Sequence, residues 1–456
     1  MRIVEGLQAE WDRSLLGSSP RRQRSARLAQ DLDTAMRSGT YRHPSGPIPL
    51  RPILITAVTA RLFESLSRRL LLLIERFCEA RAHSPWELAD LVGYQHPAVS
   101  MLTDDPAWNT SAMAMARPDI VISGGVPRFV EVNITSGMAG PEPLARLNRF
   151  FVNTIPTDLT SLDAVDLAVP ETLAGRRKVV LTAAKSHGWQ TPRVCLLGWS
   201  REGLGSREYF AEVIDDFRAH DVPCDFAIPN ELRFSGTTLS HCGQVIDVAL
   251  RMFAYAGPED AKLDMSALLH AMRTGTTITL SPEISNLYSS KIILAWLSES
   301  VESLSGEDRE LVENHIPWTR VVADIEVSRH GHSVQLLDLL ISRRKEFVLK
   351  PFNQLRGIGV IVGRDTTKYA WRRAVISAAT SGGYVVQEFL PADPIEVPVY
   401  RSLSGTVEMT QAASVFSPIL FGGELSGVLV RHTDSPYTSM VNIGSGVINT
   451  AWFASS

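Results

Sequence analysis

The sequence predicts an α/β (α+β) chain, and three stretches carry that prediction. Residues 165–256 alternate helix-like and strand-like segments: a helix around 172–187, a strand 193–198, a helix near 206–220, a strand 224–228 and an apolar run 246–254. Alternation of this kind indicates a parallel sheet with helical crossovers. Residues 117–133 form a second signature, an alternating strand, the turn Gly124-Gly125, and another alternating strand. The third is an apolar strand ending at Lys350-Pro351, a glycine-containing turn through Gly357 and Gly359 into a further apolar strand, and a buried-looking strand over 383–390.

The elements between these follow from local chemistry. Residues 1–50 combine a helical start, the polar run Ser18-Ser-Pro-Arg-Arg-Gln-Arg24 and a Pro/Gly-rich loop at 43–49. The arginine run has the charge to hold a phosphate, but short charge runs are ordinarily solvated faces, and it is taken as one. From Pro52 to about His83, Leu62, Leu66, Leu70, Leu73 and Phe77 recur at helical spacing and predict one long amphipathic helix. A Gly-rich turn, Ile134 to Pro141, leads into a helix from Pro143. Lys291 opens an apolar helix against the dipole trend, which favours acids in a first turn, and this hints at an anion.

Composition narrows the partners. With 456 residues, 45% apolar and 21% charged, the chain has room for two or three ordinary domains. A net charge of -4 gives no electrostatic footprint for nucleic acid or an acidic membrane, so small molecules are the default partners. Cys78, Cys195, Cys224 and Cys242 are scattered without a Cys-x-x-Cys pair, which argues against zinc or a disulfide framework and suits a reducing cytoplasm. The first residues lack a secretory signal, and Leu70–Ile74 is closely flanked by charges and far shorter than a membrane span.

Two constellations carry chemistry. Glu131 and Asn133, two apart on a strand, share a face, with Asp119 opposite. Such oxygen donors suit Mg2+; a solvated surface hairpin is the alternative. Around Lys350, the Gly357/Gly359 turn allows backbone amides to fold over phosphates beside a lysine point charge, although no Walker loop is present. Gln387 and Glu388 then face opposite ways on their strand, one toward a pocket, with nearby backbone reading an adenine edge. Gly198, Gly203 and Gly205 do not match a dinucleotide fingerprint, and His330-Gly-His332 reads as a surface loop.

Taken in order, Lys291, Ile316-Pro-Trp-Thr319, Lys350-Pro351, Arg356-Gly-Ile-Gly-Val360 and Gln387-Glu-Phe-Leu390 resemble the ATP-grasp superfamily of carboxylate–amine ligases. Glu131-Val-Asn133 precedes them instead of following, which resembles the circularly permuted subgroup similar to glutathionylspermidine synthetase. That resemblance covers roughly residues 115–456 and implies ATP and Mg2+ as cofactors, with a carboxylic acid activated as an acyl phosphate and passed to an amine. It implies Arg117 as the catalytic arginine at the transferring phosphate, and Asp119, Glu131 and Asn133 as metal ligands. Lys291, Lys350, Gly357, Gly359, Gln387, Glu388, Phe389 and Leu390 would hold the nucleotide, and Arg251, Arg431 and Ser136 are candidate substrate contacts. Asp247 resembles an acid that accompanies the arginine at 251, and Gly427–Arg431 with Asn442–Gly446 resemble closing strands.

The implied division is a largely helical segment 1–110, a metal-binding part 111–160, a Rossmann-like subdomain 161–275 that precedes the nucleotide half, a nucleotide-binding lid subdomain 276–390, and strands 391–456 completing the core. The helical segment either helps form the pocket or supports a homodimer. The lid carries Arg356-Gly-Ile-Gly where many members have a Gly-Gly pair, and no Cys-His pair for an amidase is visible. A non-catalytic nucleotide-binding scaffold of the same fold, or a small-molecule kinase, are the alternatives to a ligase.

Overall fold

The structure is a computed structural model that describes residues 5–37, 47–94, 99, 101–103, 111–135, 137–159, 165–253, 262–354, 357–433 and 447–455. Its centre is a seven-stranded sheet in which Ile53–Thr56, Val447–Ala454, Glu424–His432, Ser414–Phe421, Met115–Ser123 and Val126–Ile134 lie side by side, with the short strand Leu167–Ala168 also pairing Val447–Ala454. The 115–134 hairpin signature is therefore the edge of a sheet in which the strands next to it, Ser414–Phe421, Glu424–His432 and Val447–Ala454, come from the C-terminal end of the chain.

Two apolar layers cover this sheet. On one side, Phe63, Leu66, Leu70 and Leu73 of the helix Ala57–Glu79 share a core with Phe129, Val132 and Ile134, and with Leu287, Ile293 and Leu297. On the other, Leu144, Leu147 and Phe151 of the helix Pro141–Asn153 join Trp452 and Trp11. Each such side chain contributes about 1.5–3 kcal/mol on leaving water, which is why the apolar periodicity decides where these helices lie.

One element departs from the sequence reading. Residues 52–83 are not a single helix: Ile53–Thr56 is a strand, paired in parallel with Ala451–Ala454, and the helix starts at Ala57. Ile53-Leu-Ile-Thr is rich in β-branched residues, and the Thr56 hydroxyl caps the helix by accepting from Thr59 N at 3.2 Å. Leu62, assigned to the apolar stripe, is exposed. The arginine run near residue 20 lies in the helix Ser19–Arg37, where Arg21, Arg22 and Arg24 are exposed.

The alternating region forms a four-stranded sheet, Ile278–Thr279, Val248–Arg251, Val194–Leu197 and Cys224–Ala227, with every pairing parallel. A separate antiparallel sheet orders Thr319–Val321, Tyr384–Glu388, Phe347–Pro351 and Ile361–Val362. Trp371 and Val375 of the helix Lys368–Ser381 pack in its core. His330 and His332 are exposed on a small hairpin, as a surface turn requires. No helix among the described residues is long and apolar enough to cross a membrane.

His432 is buried in the central sheet between Ser414, 2.7 Å from Nδ1, and Asn449, 3.3 Å from Nε2. Burial, with the nearby Arg51 charge, pulls its pKa down to about 3, so the folded state holds it neutral. An unfolded chain protonates near the ordinary value of about 6.5. The stabilising contribution is therefore complete above that value and is lost as the pH falls from about 6.5 toward 3. Urea unfolding at stepped pH is expected to show a stability decline of up to about 1.4 kcal/mol per pH unit in this window, and His432→Gln, though less stable, is expected to show a visibly shallower slope. Parallel slopes for the two proteins would remove His432 from the account.

Candidate active site

A β-bulge builds the site. In the hairpin, Asp119 pairs with Glu131 but Ile120 pairs with Phe129, so Val130 has no counterpart. The bulge keeps Phe129, Val132 and Ile134 in the core despite the odd spacing of the first two, and turns Glu131 and Asn133 to the other face with Arg117 and Asp119. It also frees the Val130 carbonyl, which accepts from Lys350 Nζ at 2.8 Å. A lysine of the nucleotide-candidate sheet is thereby tied to the hairpin.

Asp119 is buried, and its oxygens are taken by Ser417 Oγ at 2.8 Å and Arg431 at 2.7 Å, with Arg117 Nε at 3.6 Å. Burial pushes its carboxyl up, but Arg431 and Arg117, with the hydrogen bonds from Arg431 and Ser417, outweigh this and hold it below the usual range. Arg117 donates to the Ala139 carbonyl. Among the described residues, the Nε atoms of Arg117 and Arg431 are buried without a hydrogen-bond partner.

Lys291 lies 2.9 Å from Glu131 Oε1 and donates to Gln354 O at 2.8 Å. Lys350 donates to Gln387 Oε1 at 2.6 Å, and Gln387 Nε2 donates to Thr319 Oγ1 at 3.2 Å. Gln387 thus enters the site and orients the lysine. Burial pushes the Lys350 ammonium down to about 8; Glu131 and Asp119 oppose that push and Lys291 adds to it. These four charges therefore act on one small volume.

The remaining sequence candidates divide. Gly357 and Gly359 both have positive φ, +73° and +74°, and a Cβ on Gly359 would meet Pro351 at 2.8 Å, so the turn between the strands needs glycine there. Glu388, in contrast with Gln387, is part exposed and faces Arg329 at 3.8 Å. The amides of Glu388 and Phe389 are spent on Trp318 O and Glu346 O at 2.8 and 2.7 Å, which corrects the expectation that they read a ligand edge. Leu390 N has no partner among the described residues.

Arg251 does not join this group. Its guanidinium is buried on Glu283 at 2.6 Å, in a network with Tyr94 and Asn286, so it neutralises an internal acid and does not present itself as an anchor. Asp247 accepts from Arg193 N at 2.7 Å. Arg431 reaches the site, yet on Asp119. Ser136, Arg356 and residues 442–446 lie outside the described residues. Thr319, quoted in the Ile316-Pro-Trp-Thr319 turn, turns out to hold Gln387; sequence reasoning missed Ser417 and Ser289, whose hydroxyl accepts from Ile134 N at 2.7 Å and donates to Ile134 O at 3.0 Å. Single hydroxyls in strands and turns carry no pattern that would have found them.

Among the described residues no group of three or more His, Cys, Asp or Glu side chains is placed to hold a metal. The donor set that remains, Glu131, Asn133 and Asp119, is hard oxygen on one face and fits Mg2+, which takes one or two carboxylates and fills its shell with water and phosphate oxygens. Asn133 donates its Nδ2 to Arg117 O, which leaves its oxygen uncommitted. For Asp119 to ligate, Arg431 must yield an oxygen.

No family model matches the sequence, and no curated protein does. A solved glutathione synthetase-like effector from Globodera pallida, in its apo form, aligns over 94% of this chain and 97% of its own, at a TM-score of 0.57 and 13% identity. A candidate gamma-glutamylcysteine synthetase from Methylobacillus flagellatus KT aligns over 88% and 89%, at 0.42 and 13%. The chain shares its mixed α/β fold with the glutathione synthetase-like protein; the second likeness is too loose to build on.

The Asp119–Arg431 pair is nearly sealed from water, at 5% side-chain exposure each. Arg431→Met is expected to cost about 3–5 kcal/mol because it strands a buried carboxylate, and adding Asp119→Asn is expected to restore part of the loss. Urea denaturation of the two proteins checks this; a double variant less stable than the single one contradicts it.

Proposed function

We propose that the chain is an ATP-dependent ligase of the ATP-grasp type, in permuted order, that activates a small carboxylic acid and joins it to an amine. The observation that carries the reading is one of charge. Arg117, Arg431, Lys291 and Lys350 converge on only two carboxylates, Asp119 and Glu131. Such an excess of cations suits a polyanion, and we infer a nucleoside triphosphate lying against the adjoining antiparallel sheet. The likeness to a glutathione synthetase-like fold supports the reading at the level of the fold.

In this reading Lys291 and Lys350 hold the phosphates, with Gln387 keeping Lys350 in place. Glycine backbone at 357–359 folds over the tail, and backbone near Leu390 meets the adenine edge. The substrate carboxylate attacks the γ-phosphate and releases ADP, and the amine then attacks the acyl phosphate and releases phosphate. Arg117, permanently charged and planar, stabilises the transferring group. Magnesium, when bound by Glu131, Asn133 and Asp119, offsets the phosphate charge. The carboxylic acid in this reading is an amino acid or short peptide, and the second substrate is an amine.

A phosphate-release screen of amino acids and short peptides paired with amines is expected to give ADP and phosphate only with both substrates present, and Glu131→Gln is expected to abolish turnover while the fold persists. Full activity of that variant removes the metal assignment. Lys350 adds a pH signature. Its cationic form binds the anion, so nucleotide affinity is expected to hold below about pH 8 and to weaken by up to tenfold per unit above it; a flat profile from pH 7 to 9.5 contradicts this.

One observation favours a second reading. Asp119 and Glu131 each already carry an ion pair, on Arg431 and Lys291, which suits a non-catalytic nucleotide-binding protein of the same fold. It requires stoichiometric ATP binding with no consumption across the same screen.

A further inference from the structure

We infer that Ser290 is a phosphate-binding residue, its hydroxyl donating to an anionic oxygen of a polyphosphate at the start of the Lys291 helix; this deepens the proposed nucleotide site and rests on it. Ser290 occupies the N-cap of the nine-residue helix Lys291–Glu299, with extended backbone, φ -61° and ψ 131°. A serine there ordinarily accepts from the N–H groups of the first helical turn. This one makes no such bond: Ile293 N turns to the Ser290 carbonyl at 3.1 Å, and the side chain does not cap.

The hydroxyl finds nothing else among the described residues. Ser290 is only 4% exposed, and its Oγ is buried with no hydrogen-bond partner among them. A buried hydroxyl left unmet is costly and calls for a partner, and the charges around Ser290 point to an anion as that partner.

Its neighbours fix where that something lies. Ser289 is clipped in both directions to Ile134, the residue after Asn133, at 2.7 and 3.0 Å. Lys291 reaches Glu131 at 2.9 Å, and its backbone N–H is tied to Phe352 O at 3.0 Å, on the segment leading to the glycine turn. Ser290 is thus held between the hairpin and the Lys350 strand, at the positive end of a helix whose first residue is a lysine. An anion is favoured there by the helix dipole, by the lysine and by the free hydroxyl together. The dipole anomaly of Lys291 acquires a reason: helix end and lysine act on the same ligand. Ser290 adds a directional donor to these charges, which selects for an oxygen at one position along the phosphate chain.

Ser290→Ala and Ser289→Ala separate a ligand contact from a structural one. Isothermal titration with ATP and Mg2+ is expected to show Ser290→Ala binding about tenfold to hundredfold more weakly than the unmodified protein, while adenosine binds both alike. Without ligand, Ser290→Ala is expected to melt no lower than the unmodified protein, because the lost hydroxyl had no partner, whereas Ser289→Ala, which breaks the clip to Ile134, is expected to melt lower. Equal ATP affinities overturn the inference, as does a loss shared by adenosine or a lower melting temperature for Ser290→Ala. Inorganic tripolyphosphate is titrated in parallel. If the unmodified protein binds tripolyphosphate in a Ser290-dependent way but not ATP, the ligase reading fails and the phosphate site stands. Should it bind neither, both fail.

Discussion

The structure depends on gathering four cationic side chains, three of them buried and Lys350 half-buried, around two carboxylates at the meeting of two sheets. Taking Arg117, Arg431, Lys291 and Lys350 out of water is expensive, and each is held by specific acceptors: Asp119 and the Ala139 carbonyl, Ser417, Glu131 and the Gln354 carbonyl, Gln387 and the Val130 carbonyl. Those acceptors balance the desolvation only in part, as the depressed Lys350 shows. The site is left with excess positive charge and, among the described residues, with guanidinium Nε atoms unpartnered, which is what an anion in the proposed function would meet.

That arrangement needs long-range topology. The hairpin pairs with Ser414–Phe421, which brings Ser417 to Asp119, and the next strand brings Arg431. The helix that starts at Lys291 shares a core with the hairpin's other face, so the same apolar packing that places Phe129 and Val132 also brings Lys291 to Glu131. Lys350 arrives from a different sheet and is tied in by one carbonyl that the bulge released. Strands and one helix terminus therefore set the geometry.

Much of this was legible in the residues. Alternation predicted the parallel sheet, two-residue spacing placed Glu131 and Asn133 on one face, and the strand before Pro351 delivered Lys350 to the same volume. Gln387 points inward and Glu388 outward, as consecutive strand residues must. The helix boundary at Thr56 was missed: the β-branched run and the capping threonine are local signals for it, but Ile53-Leu-Ile-Thr also continues the apolar pattern of the helix, and the parallel partner at 451–454 settles it as a strand. Arg251 was a candidate by its position in the chain alone, and the acid that claims it, Glu283, lies 32 residues away.

By itself, then, the sequence determined which side chains are available, on which strands, and in which order, since local periodicity and turn chemistry act over a few residues. Tertiary structure decided what each of them faces. Arg431 on Asp119, Arg251 on Glu283, Lys350 on a bulged carbonyl and Ser290 on no partner among the described residues are outcomes of pairing between distant segments, and a charge buried in a protein takes its properties from whichever segment closes over it.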